Sequence, residues 1–360
     1  MVLPPSAAAT VTLLSTIGNC EGRGDDERRR KMMMKAREGR RKTMKARENR
    51  GTDERRRSAG REGRQLKEVT ADNVVVVRVG LEKRIAIVTG GNKGIGLEIR
   101  RQLASNGIMV ILTARDEKRG FEIVENLKLV GYLLDILVNN AGISGSIIDE
   151  DAQKRLKLVD IVSSNLKVEI IEQSYEMGEA CLGTNYYGVK LVTEELIPLL
   201  QLSDSAKIVN VSSTLGQLEL VLNEKAEELS DTDSLTEEKV EEVLKRYLED
   251  LKEDLLETKG WPVNFSAYIM SKAALNAYTR VLAKKYPHIA INAVSPGFVK
   301  TDLNHHRGIL TVEQGAKGPV MLALLPIGGP SGLFYNQMEV STFSTREITY
   351  LYHLLYVSIQ

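Results

Sequence analysis

Residues 85–96 read IAIVTGGNKGIG, a short apolar run that leads directly into a glycine-rich stretch. Apolar residues then recur at helical spacing over 97–104. A strand, a glycine turn and a helix in this order form the setting in which a dinucleotide phosphate binds. Gly90 allows the tight turn, while Gly94 and Gly96 let the backbone approach a pyrophosphate that faces the helix N-terminus. We therefore predict nucleotide binding here, with a bare strand-to-helix turn as the alternative.

A second buried strand, 109–113, ends just before Arg115. At this place in a dinucleotide fold an acidic residue binds the ribose 2′-hydroxyl, whereas an arginine accommodates a 2′-phosphate. Arg115 comes first after the strand, and Lys93 adds a cation in the glycine turn. The pattern favours NADP over NAD, and the alternative is a solvated arginine that opens the next helix.

Further strands alternate with helices along the chain. Residues 136–138 precede the sequence NNAG at 139–142, a helical pattern covers 183–200, and the strand 207–211 precedes SSTLG. This alternation predicts an α/β fold of the Rossmann type, a doubly wound parallel sheet with helices on both faces. Ligands of such sheets bind at the carboxyl ends of the strands, where these polar stretches fall.

Tyr268 and Lys272 are four residues apart, which places them one turn apart on one face of a helix. A nearby ammonium group favours the phenolate and lowers a tyrosine pKa from its usual value of about 10. Such a phenol can exchange a proton with a carbonyl or alcohol oxygen near neutral pH. The alternative is a packing pair on the surface of a helix.

Taken together, residues 84–343 resemble the short-chain dehydrogenase/reductase family. Within it they are most similar to the plant monomeric branch of neomenthol dehydrogenase and salutaridine reductase, which is related to monomeric carbonyl reductases. The resemblance rests on six marks in order: TGGNKGIG at 89–96, NNAG at 139–142, Asn185, Ser213, Tyr268 with Lys272, and SPGFVKTD at 295–302.

The resemblance implies a catalytic role for four residues. Tyr268 would be the general acid for carbonyl reduction or the base for alcohol oxidation, and Lys272 would lower its pKa and hold the nicotinamide ribose. Ser213 would hydrogen-bond the substrate oxygen, in preference to its neighbour Ser212. Asn185 would hold a water molecule in a proton relay through the lysine.

The resemblance also assigns NADP contacts to residues of the glycine turn, the NNAG segment, the catalytic pair and the SPGFVKTD segment. These are Gly90, Asn92, Lys93, Gly94, Ile95, Gly96, Arg115, Asn140, Ala141, Gly142, Tyr268, Lys272, Pro296, Gly297, Val299 and Thr301. Two structural alternatives stay open: Asn139 cross-links strands, and Thr301 caps a helix.

We expect an apolar substrate pocket formed by Gly145, Ile147, Trp261 and the loop after Thr301. Such a pocket suits a hydrophobic ketone or its secondary alcohol.

Residues 217–262 form an acidic insertion before Tyr268, with 15 Asp and Glu against 6 Lys and Arg. Apolar residues repeat at helical spacing over 240–255, which predicts an amphipathic helix. Residues 234–237 form a capping-box pattern before it, and 260–262 end it. The resemblance implies that this helix covers the surface through which oligomeric relatives associate, which predicts a monomer; a partner-binding helix is the alternative.

One segment of the family pattern is missing. Between the strands 109–113 and 134–138 there is room for a single helix, whereas the family has a helix, an edge strand and another helix there. Either the NNAG strand keeps its central place beside the first strand, or it moves to the vacant edge. We expect the first, because the core demands a strand at that position.

The two ends of the chain differ from the rest. Residues 21–67 carry 19 Lys and Arg against 9 Asp and Glu, with almost no apolar periodicity. We predict a disordered basic leader over 1–80, a reductase domain over 81–343 and an atypical tail over 344–360. Misplaced exon boundaries at both ends, with an exon skipped after about residue 129, would account for the ends and for the missing segment.

Composition bounds the other possibilities. No apolar run reaches the ~18 residues of a membrane span. Cys20 and Cys181 are too few for a disulfide framework or zinc site, so we predict a cytoplasmic protein without a metal. Two further functions remain as alternatives: a reductase-like protein that is inactive or unstable because of the missing segment, and a nucleic-acid or scaffold role of the basic leader. Interspersed acids and the lack of aromatic residues disfavour the second.

Overall fold

The structure is a computed structural model of the chain. It describes residues 69–71, 74–76, 84–113, 133–148, 171–221, 223–231 and 233–344. Arg115, most of the predicted leader and the predicted tail beyond residue 344 lie outside these ranges.

The described strands and helices follow one another in the predicted alternation. The strands are β1 (Val69–Ala71), β2 (Val74–Val76), β3 (Ile85–Thr89), β4 (Met109–Thr113), β5 (Ile136–Asn139), β6 (Ile147–Ile148), β7 (Ile171–Glu172), β8 (Lys207–Val211), β9 (Ala290–Ser295), β10 (Phe334–Asn336) and β11 (Glu339–Ser341). The α-helices are α1 (Gly94–Ser105), α2 (Tyr175–Leu182), α3 (Gly188–Leu200), α4 (Asn223–Ser230), α5 (Glu237–Lys252), α6 (Ser266–Lys285) and α7 (Val312–Ala323).

The main sheet has seven strands in the order β11-β10-β9-β8-β5-β3-β4, all parallel except β11. The NNAG strand β5 lies directly beside β3, with Ala86 opposite Ile136. The expectation that it keeps its central place is therefore correct. On the other side of β3 the described part of the sheet ends at β4, which agrees with the missing edge segment.

Alternate residues of β3 pack on opposite faces of the sheet, as the two-residue period of a strand requires. Ile85 and Ile87 join one apolar cluster with α2, α3, α5 and α6, and Ala86 and Val88 join a second cluster with α1 and α7. Both faces are thus covered by helices, which explains why β3 is apolar from Ile85 to Val88. The predicted Rossmann-type fold is confirmed.

Local structure departs from the sequence-based expectations in three places. Residues 69–71 and 74–76, placed in the predicted leader, form the antiparallel pair β1 and β2. The predicted helix 183–200 begins earlier, at Tyr175, and contains a π-helical turn at Gly183–Tyr187. The insertion forms two helices, α4 and α5, and the second ends at Lys252 rather than near 260.

The start of α5 also differs from the capping-box pattern predicted at 234–237. Thr236 is the N-cap, and its hydroxyl accepts from the Lys239 N–H at 3.3 Å. Ser234 instead donates its hydroxyl to Asp231 at 2.5 Å. The helix buries Val240, Val243, Leu244 and Tyr247 against the protein, as its amphipathic pattern predicts.

Candidate active site

The glycine turn between β3 and α1 is built for close backbone contact. Gly90 has φ +64° and Gly94 has φ +54°, values that residues with a side chain rarely adopt. A Cβ on Gly96 would lie 2.4 Å from the Gly90 carbonyl oxygen and 2.4 Å from Asn140 Nδ2. Lys93 is the N-cap of α1, and its side chain accepts no hydrogen bond from the helix. The first backbone N–H groups of α1 are therefore left for a ligand to bind. Asn92 and Lys93 are exposed, and Ile95 is half-buried.

The NNAG segment is tied to this turn through Thr89, which the sequence interpretation did not single out. The Thr89 hydroxyl accepts from the backbone N–H groups of Asn140 at 2.9 Å and Ala141 at 3.1 Å. The Asn140 amide in turn donates to the Thr89 carbonyl at 3.0 Å. A threonine that ends a buried strand beside a glycine turn is the signal that could have identified it.

The segment after β9 lies over the same turn. Thr301 Cγ2 would be 3.6 Å from a Cβ on Gly94, and Lys93 forms an ion pair with Asp302. His306 Nε2 lies 3.1 Å from the same carboxylate. The predicted cofactor residue Thr301 therefore lies beside the glycine turn, and Pro296, Gly297 and Val299 precede it in the same segment. The Thr301 N–H is itself bonded to Asn304 Oδ1 at 3.3 Å.

Tyr268 lies in the first turn of α6, where the Ser213 hydroxyl interacts with its phenol. Burial, reinforced by Cys181, raises the pKa of Tyr268 to about 12, and the hydrogen bond from Ser213 acts in the opposite direction. The sequence-based expectation of a lowered pKa is therefore not met here, because desolvation outweighs the other effects. The phenol ring is half-buried and so keeps access to the surface.

Lys272 lies one turn further along α6 and is almost fully buried. Its ammonium group donates to the Val211 carbonyl at 2.9 Å and lies 5.7 Å from the Tyr268 ring centroid. Burial lowers the pKa of Lys272 to about 8, with Cys181 acting weakly in the opposite direction. The lysine is thus held as a costly buried cation next to the phenol.

Asn185 lies in the π-helical turn, fully buried. Its side chain accepts from the Ile143 N–H at 2.9 Å and donates to the Ile143 carbonyl at 2.9 Å and to Ser271 Oγ at 3.0 Å. A Cβ on Gly142 would lie 3.2 Å from Asn185 Oδ1 and 3.8 Å from Lys272 Nζ. The asparagine therefore joins the NNAG loop to the helix that carries Tyr268 and Lys272.

The remaining predicted residues occupy different places. Ser212 is buried and directs its hydroxyl to the Lys272 carbonyl at 3.5 Å, so the geometry favours Ser213 as the substrate contact. Asn139 donates to Thr193 at 3.1 Å and to Asn210 at 2.9 Å, which is the cross-linking alternative.

Trp261 was expected to line the substrate pocket, but only 2% of its surface is exposed. Its indole N–H donates to Asp250 at 2.7 Å, and its ring packs edge-on against Tyr247. The tryptophan therefore fastens the insertion to the core and does not line a pocket. An aromatic residue at a helix end carries no sequence signal that separates these two roles.

Among the described residues, no cluster of histidine, cysteine or acidic side chains could hold a metal ion. The part of the chain that the structure describes also contains no helix long and apolar enough to cross a membrane.

Replacing Gly96 with alanine is expected to distort the glycine turn between β3 and α1. The added methyl group would overlap the Gly90 carbonyl, a backbone atom that cannot move without opening the turn. We expect the free energy of unfolding to fall by about 1–3 kcal/mol. We also expect the dissociation constant of the cofactor to rise by about tenfold or more, which corresponds to about 1.4 kcal/mol of binding free energy. Fluorescence titration with NADPH and denaturant unfolding measure the two effects.

Gly183→Ala is the matched control, because a Cβ there would meet nothing within 4 Å. Equal cofactor binding by Gly96→Ala and the unaltered protein would show that this turn does not hold the phosphates.

Comparison with known proteins points to one group of enzymes. Residues 84–224 match the family model described as short chain dehydrogenase, and residues 255–317 match one described as Enoyl-(Acyl carrier protein) reductase. The chain is 49% identical to (+)-neomenthol dehydrogenase of Arabidopsis thaliana, over 72% of this chain and 98% of that protein. It is 34% identical to Carbonyl reductase [NADPH] 3 of Rattus norvegicus, over 72% of this chain and 98% of that protein.

The structure of salutaridine reductase from Papaver somniferum superimposes with a TM-score of 0.62 at 48% identity. That match covers 70% of this chain and 99% of the other.

The alignment also bears on the missing segment. The match to the Arabidopsis dehydrogenase extends over 294 positions but includes 72% of this 360-residue chain, about 259 residues. About 35 positions of that relative therefore have no counterpart here. This is about the size of one βαβ unit, roughly 30 residues.

Proposed function

Because the chain belongs to the short-chain dehydrogenase/reductase family, we propose that it is an NADP-dependent oxidoreductase that interconverts a hydrophobic ketone and its secondary alcohol. The observation that carries the proposal is the meeting of the Tyr268 phenol, the Ser213 hydroxyl and the buried Lys272 ammonium group at one edge of the sheet. This is where ligands of parallel α/β sheets bind.

The cofactor residues fit a bound dinucleotide. The close approach at Gly96 leaves no room for a side chain under the phosphate turn, and the space over Gly142 is bounded by Asn185 and Lys272. Gly90, Gly94 and the N-terminus of α1 would hold the pyrophosphate, and Asn140, Ala141 and Lys272 would line the nicotinamide ribose. When bound, the nicotinamide supplies or accepts the hydride.

The chain's own groups handle the proton. In the direction of reduction Tyr268 donates its phenolic proton to the carbonyl oxygen, while Ser213 hydrogen-bonds the same oxygen and orients it. The Lys272 ammonium group stabilises the phenolate that Tyr268 becomes, and it does so in a buried site where charge interactions are strong. Asn185 would hold the water that returns the proton through Lys272. In the direction of oxidation the same steps run in reverse.

NADP is favoured over NAD by the residues around the adenosine end. Lys93 lies in the glycine turn, where it pairs with Asp302, Arg115 follows β4 in the sequence, and a relative at 34% identity carries NADPH in its name. A cationic pair at this place accommodates a 2′-phosphate.

Arg115→Asp is expected to shift the preference of the enzyme toward NAD. An aspartate would repel the 2′-phosphate and accept from the 2′-hydroxyl, so the ratio of kcat/KM for NADPH over NADH should fall by about tenfold or more, or 1.4 kcal/mol. Steady-state kinetics with both cofactors measure it, with Lys317→Asp on the exposed face of α7 as the charge-matched control. An unchanged ratio would remove Arg115 from the 2′-phosphate site.

A hydrophobic substrate is supported by the exposed apolar residues of the loops near the site. Ile147 is 55% exposed, and Leu303 and Ile309 of the segment after Thr301 are each 43% exposed. The names of two relatives, neomenthol dehydrogenase and salutaridine reductase, refer to compounds of this hydrophobic class.

The insertion supports a monomeric protein, which we place in the cytoplasm. Helix α5 packs against α6, and Lys190 of α3 pairs with Glu237 and Glu241 of α5. The insertion therefore occupies a surface of α3 and α6 that a partner subunit would otherwise contact. Size-exclusion chromatography with light scattering tests the monomer.

One alternative has a specific observation in its favour. The chain lacks about 35 positions of its relatives, and these would include an edge strand beside β4. A protein with this gap could keep the catalytic groups and yet bind the adenosine end of the cofactor poorly. Fluorescence titration with NADPH separates this case from the active enzyme.

The experiment that tests the proposed function is a panel of hydrophobic ketones, including menthone, with the purified protein and NADPH or NADH. We expect NADPH oxidation with at least one ketone. Tight NADPH binding with no turnover of any panel member, in either direction, would contradict the proposal.

A further inference from the structure

The first turn of α6 carries Tyr268 but has no local cap. The N-cap residue is Phe265, whose side chain offers no acceptor and whose backbone has φ +52° and ψ +29°. The left-handed region is strained for a bulky residue and persists only where neighbours enforce it. The first hydrogen bond within the helix runs from the Ile269 N–H to the Phe265 carbonyl, at 2.9 Å. The N–H groups before it, including that of Tyr268, have no partner inside the helix.

A residue far away in the sequence supplies the cap. Gln173 Oε1 accepts from the Ser266 N–H at 2.7 Å and from the Ser266 hydroxyl at 3.0 Å. The same amide donates through Nε2 to the Val263 carbonyl at 2.8 Å. One side chain thus holds the residues on both sides of Phe265 and keeps the strained entry to α6 in place.

The insertion adds a third hydrogen bond. The Tyr247 hydroxyl of α5 lies 2.8 Å from Ser266 Oγ, and both residues are fully buried. Because the serine proton goes to Gln173, the phenol is the donor and its lone proton points at Ser266. Tyr247, Ser266 and Gln173 therefore form a connected chain of hydrogen bonds, which we call the entry network; it is buried at Tyr247 and Ser266 and half-buried at Gln173. A network whose buried members are all paired specifies one geometry.

The entry network also ties α6 to the helix that leads to Asn185. Gln173 is followed by Ser174, the N-cap of α2, whose hydroxyl accepts from the Met177 N–H at 3.2 Å. Helix α2 continues into the π-helical turn that holds Asn185. Two adjacent residues thus fix the starts of both helices that bring catalytic candidates to the site.

We propose that Gln173 and Tyr247 are positioning residues for catalysis. Through Ser266 they hold the first turn of α6, and hence the Tyr268 phenol, in the place where it meets Ser213. Because Tyr247 belongs to the insertion, the insertion both covers α6 and helps to position its first turn. This inference rests on the proposed function, because it assigns Tyr268 the proton transfer.

Gln173→Met tests the cap with a side chain of similar length and no hydrogen-bonding amide. We expect amide exchange in a peptide spanning 264–270 to accelerate by about tenfold or more, because the first turn opens more easily. We also expect kcat to fall by about tenfold, or about 1.4 kcal/mol, with KM for NADPH little changed. Ser331→Ala is the control: it removes a hydroxyl that accepts from the Ile291 N–H at 3.0 Å near the amino end of β9, away from the catalytic candidates. It should lower Tm without lowering kcat.

Tyr247→Phe tests the contribution of the insertion. It removes one hydroxyl, and Tyr278→Phe is its control, since the buried Tyr278 hydroxyl has no hydrogen-bond partner among the described residues. We expect Tyr247→Phe to lower Tm by about 2–4 °C and to lower kcat. The double variant with Gln173→Met should fall short of the sum of the single effects, because both act through Ser266.

The outcomes separate the two proposals. Unchanged exchange at 264–270 in Gln173→Met would overturn the cap, and faster exchange with unchanged kcat would overturn the positioning role. If the unaltered protein reduces no ketone, the proposed function fails and the positioning role fails with it. The exchange measurement then still shows whether Gln173 caps the helix.

Discussion

Tyr268→Phe is expected to lower kcat for ketone reduction by about 10²-fold or more, since general acid catalysis contributes about 10²–10⁴-fold. The substitution removes one oxygen atom and keeps the ring in its half-buried place at the start of α6. Ser213 can still hydrogen-bond the carbonyl oxygen, but no group remains to donate a proton to it. The loss therefore falls on kcat and spares cofactor binding.

Single-turnover and steady-state kinetics with NADPH measure this effect, and fluorescence titration measures the dissociation constant of NADPH. Tyr278→Phe provides the control on the same helix, because it removes a buried hydroxyl without a hydrogen-bond partner in the described structure. We expect it to change kcat by less than twofold, as for a site remote from the chemistry. Turnover by Tyr268→Phe at the rate of the control would place the acid elsewhere.

The pKa of Tyr268 bears on when this acid can work. In the described structure burial raises it to about 12, so the phenol carries its proton at neutral pH and is ready to donate. The protonated form that reduction needs is therefore the form present in the unliganded protein, but the raised pKa also makes this phenol a weaker acid. Oxidation needs the phenolate, and the Lys272 ammonium group is the cation placed to stabilise it.

Most of the fold could be predicted from the sequence because its signals are local. The apolar run 85–88, the glycines after it and the alternation of strands and helices each lie within a short window. The place of the NNAG strand was also predictable, because a central parallel strand needs a neighbour on both sides. The end of α5 was not, since the pattern of apolar residues continues past Lys252 while the backbone turns at Asp254, with φ +54°.

The site was predictable only where a motif names the residue. Tyr268, Lys272, Ser213 and Asn185 follow from spacing and resemblance, and the structure brings them together. Gln173 could not be predicted, because it lies 93 residues from the serine that it caps and has no local pattern. Trp261 was assigned to the pocket and is buried, since one sequence cannot show which face of a loop is covered.

For a similar reason, the sequence-based prediction gave the wrong direction for the pKa shift of Tyr268 beside Lys272. Spacing shows that an ammonium group is near, but it does not show how much water is removed from the phenol. Desolvation is a property of the surrounding elements, here α2, the NNAG loop and the segment that follows β8. It decides the pKa of both partners, upward for the phenol and downward for the lysine.

Lys272→Met is expected to abolish activity and to stabilise the protein. Burial lowers the pKa of Lys272 from 10.5 to about 8, so at pH 7 the folded state carries a charge that is costly to bury. A shift of this size corresponds to roughly 3 kcal/mol at about 1.4 kcal/mol per pKa unit. Part of it is lost again, because methionine leaves the Val211 carbonyl without its donor. We expect a net gain of about 1–2 kcal/mol in the free energy of unfolding at pH 7, with kcat lower by about 10²-fold or more.

The gain of Lys272→Met should shrink as the pH rises. Between pH 8 and 10.5 the folded lysine loses its proton while the unfolded chain keeps it, so the unfolded state binds more protons and the unaltered protein becomes more stable with pH. The Lys272→Met variant lacks this amine, so its stability does not rise with pH for this reason. Groups shared by both proteins, such as Tyr268, largely cancel in the difference. Guanidinium unfolding at pH 7 and at pH 9.5 measures it.

Lys207→Met is the control that separates stability from catalysis. Lys207 is also buried, with its pKa lowered by desolvation, but it opens β8 at the edge of the sheet opposite to Ser213. Both methionine variants should gain stability at pH 7, and only Lys272→Met should lose turnover. If Lys272→Met is instead less stable than the unaltered protein at pH 7, then the buried ammonium group holds the fold together through Val211, and its place beside Tyr268 is not maintained at the expense of stability.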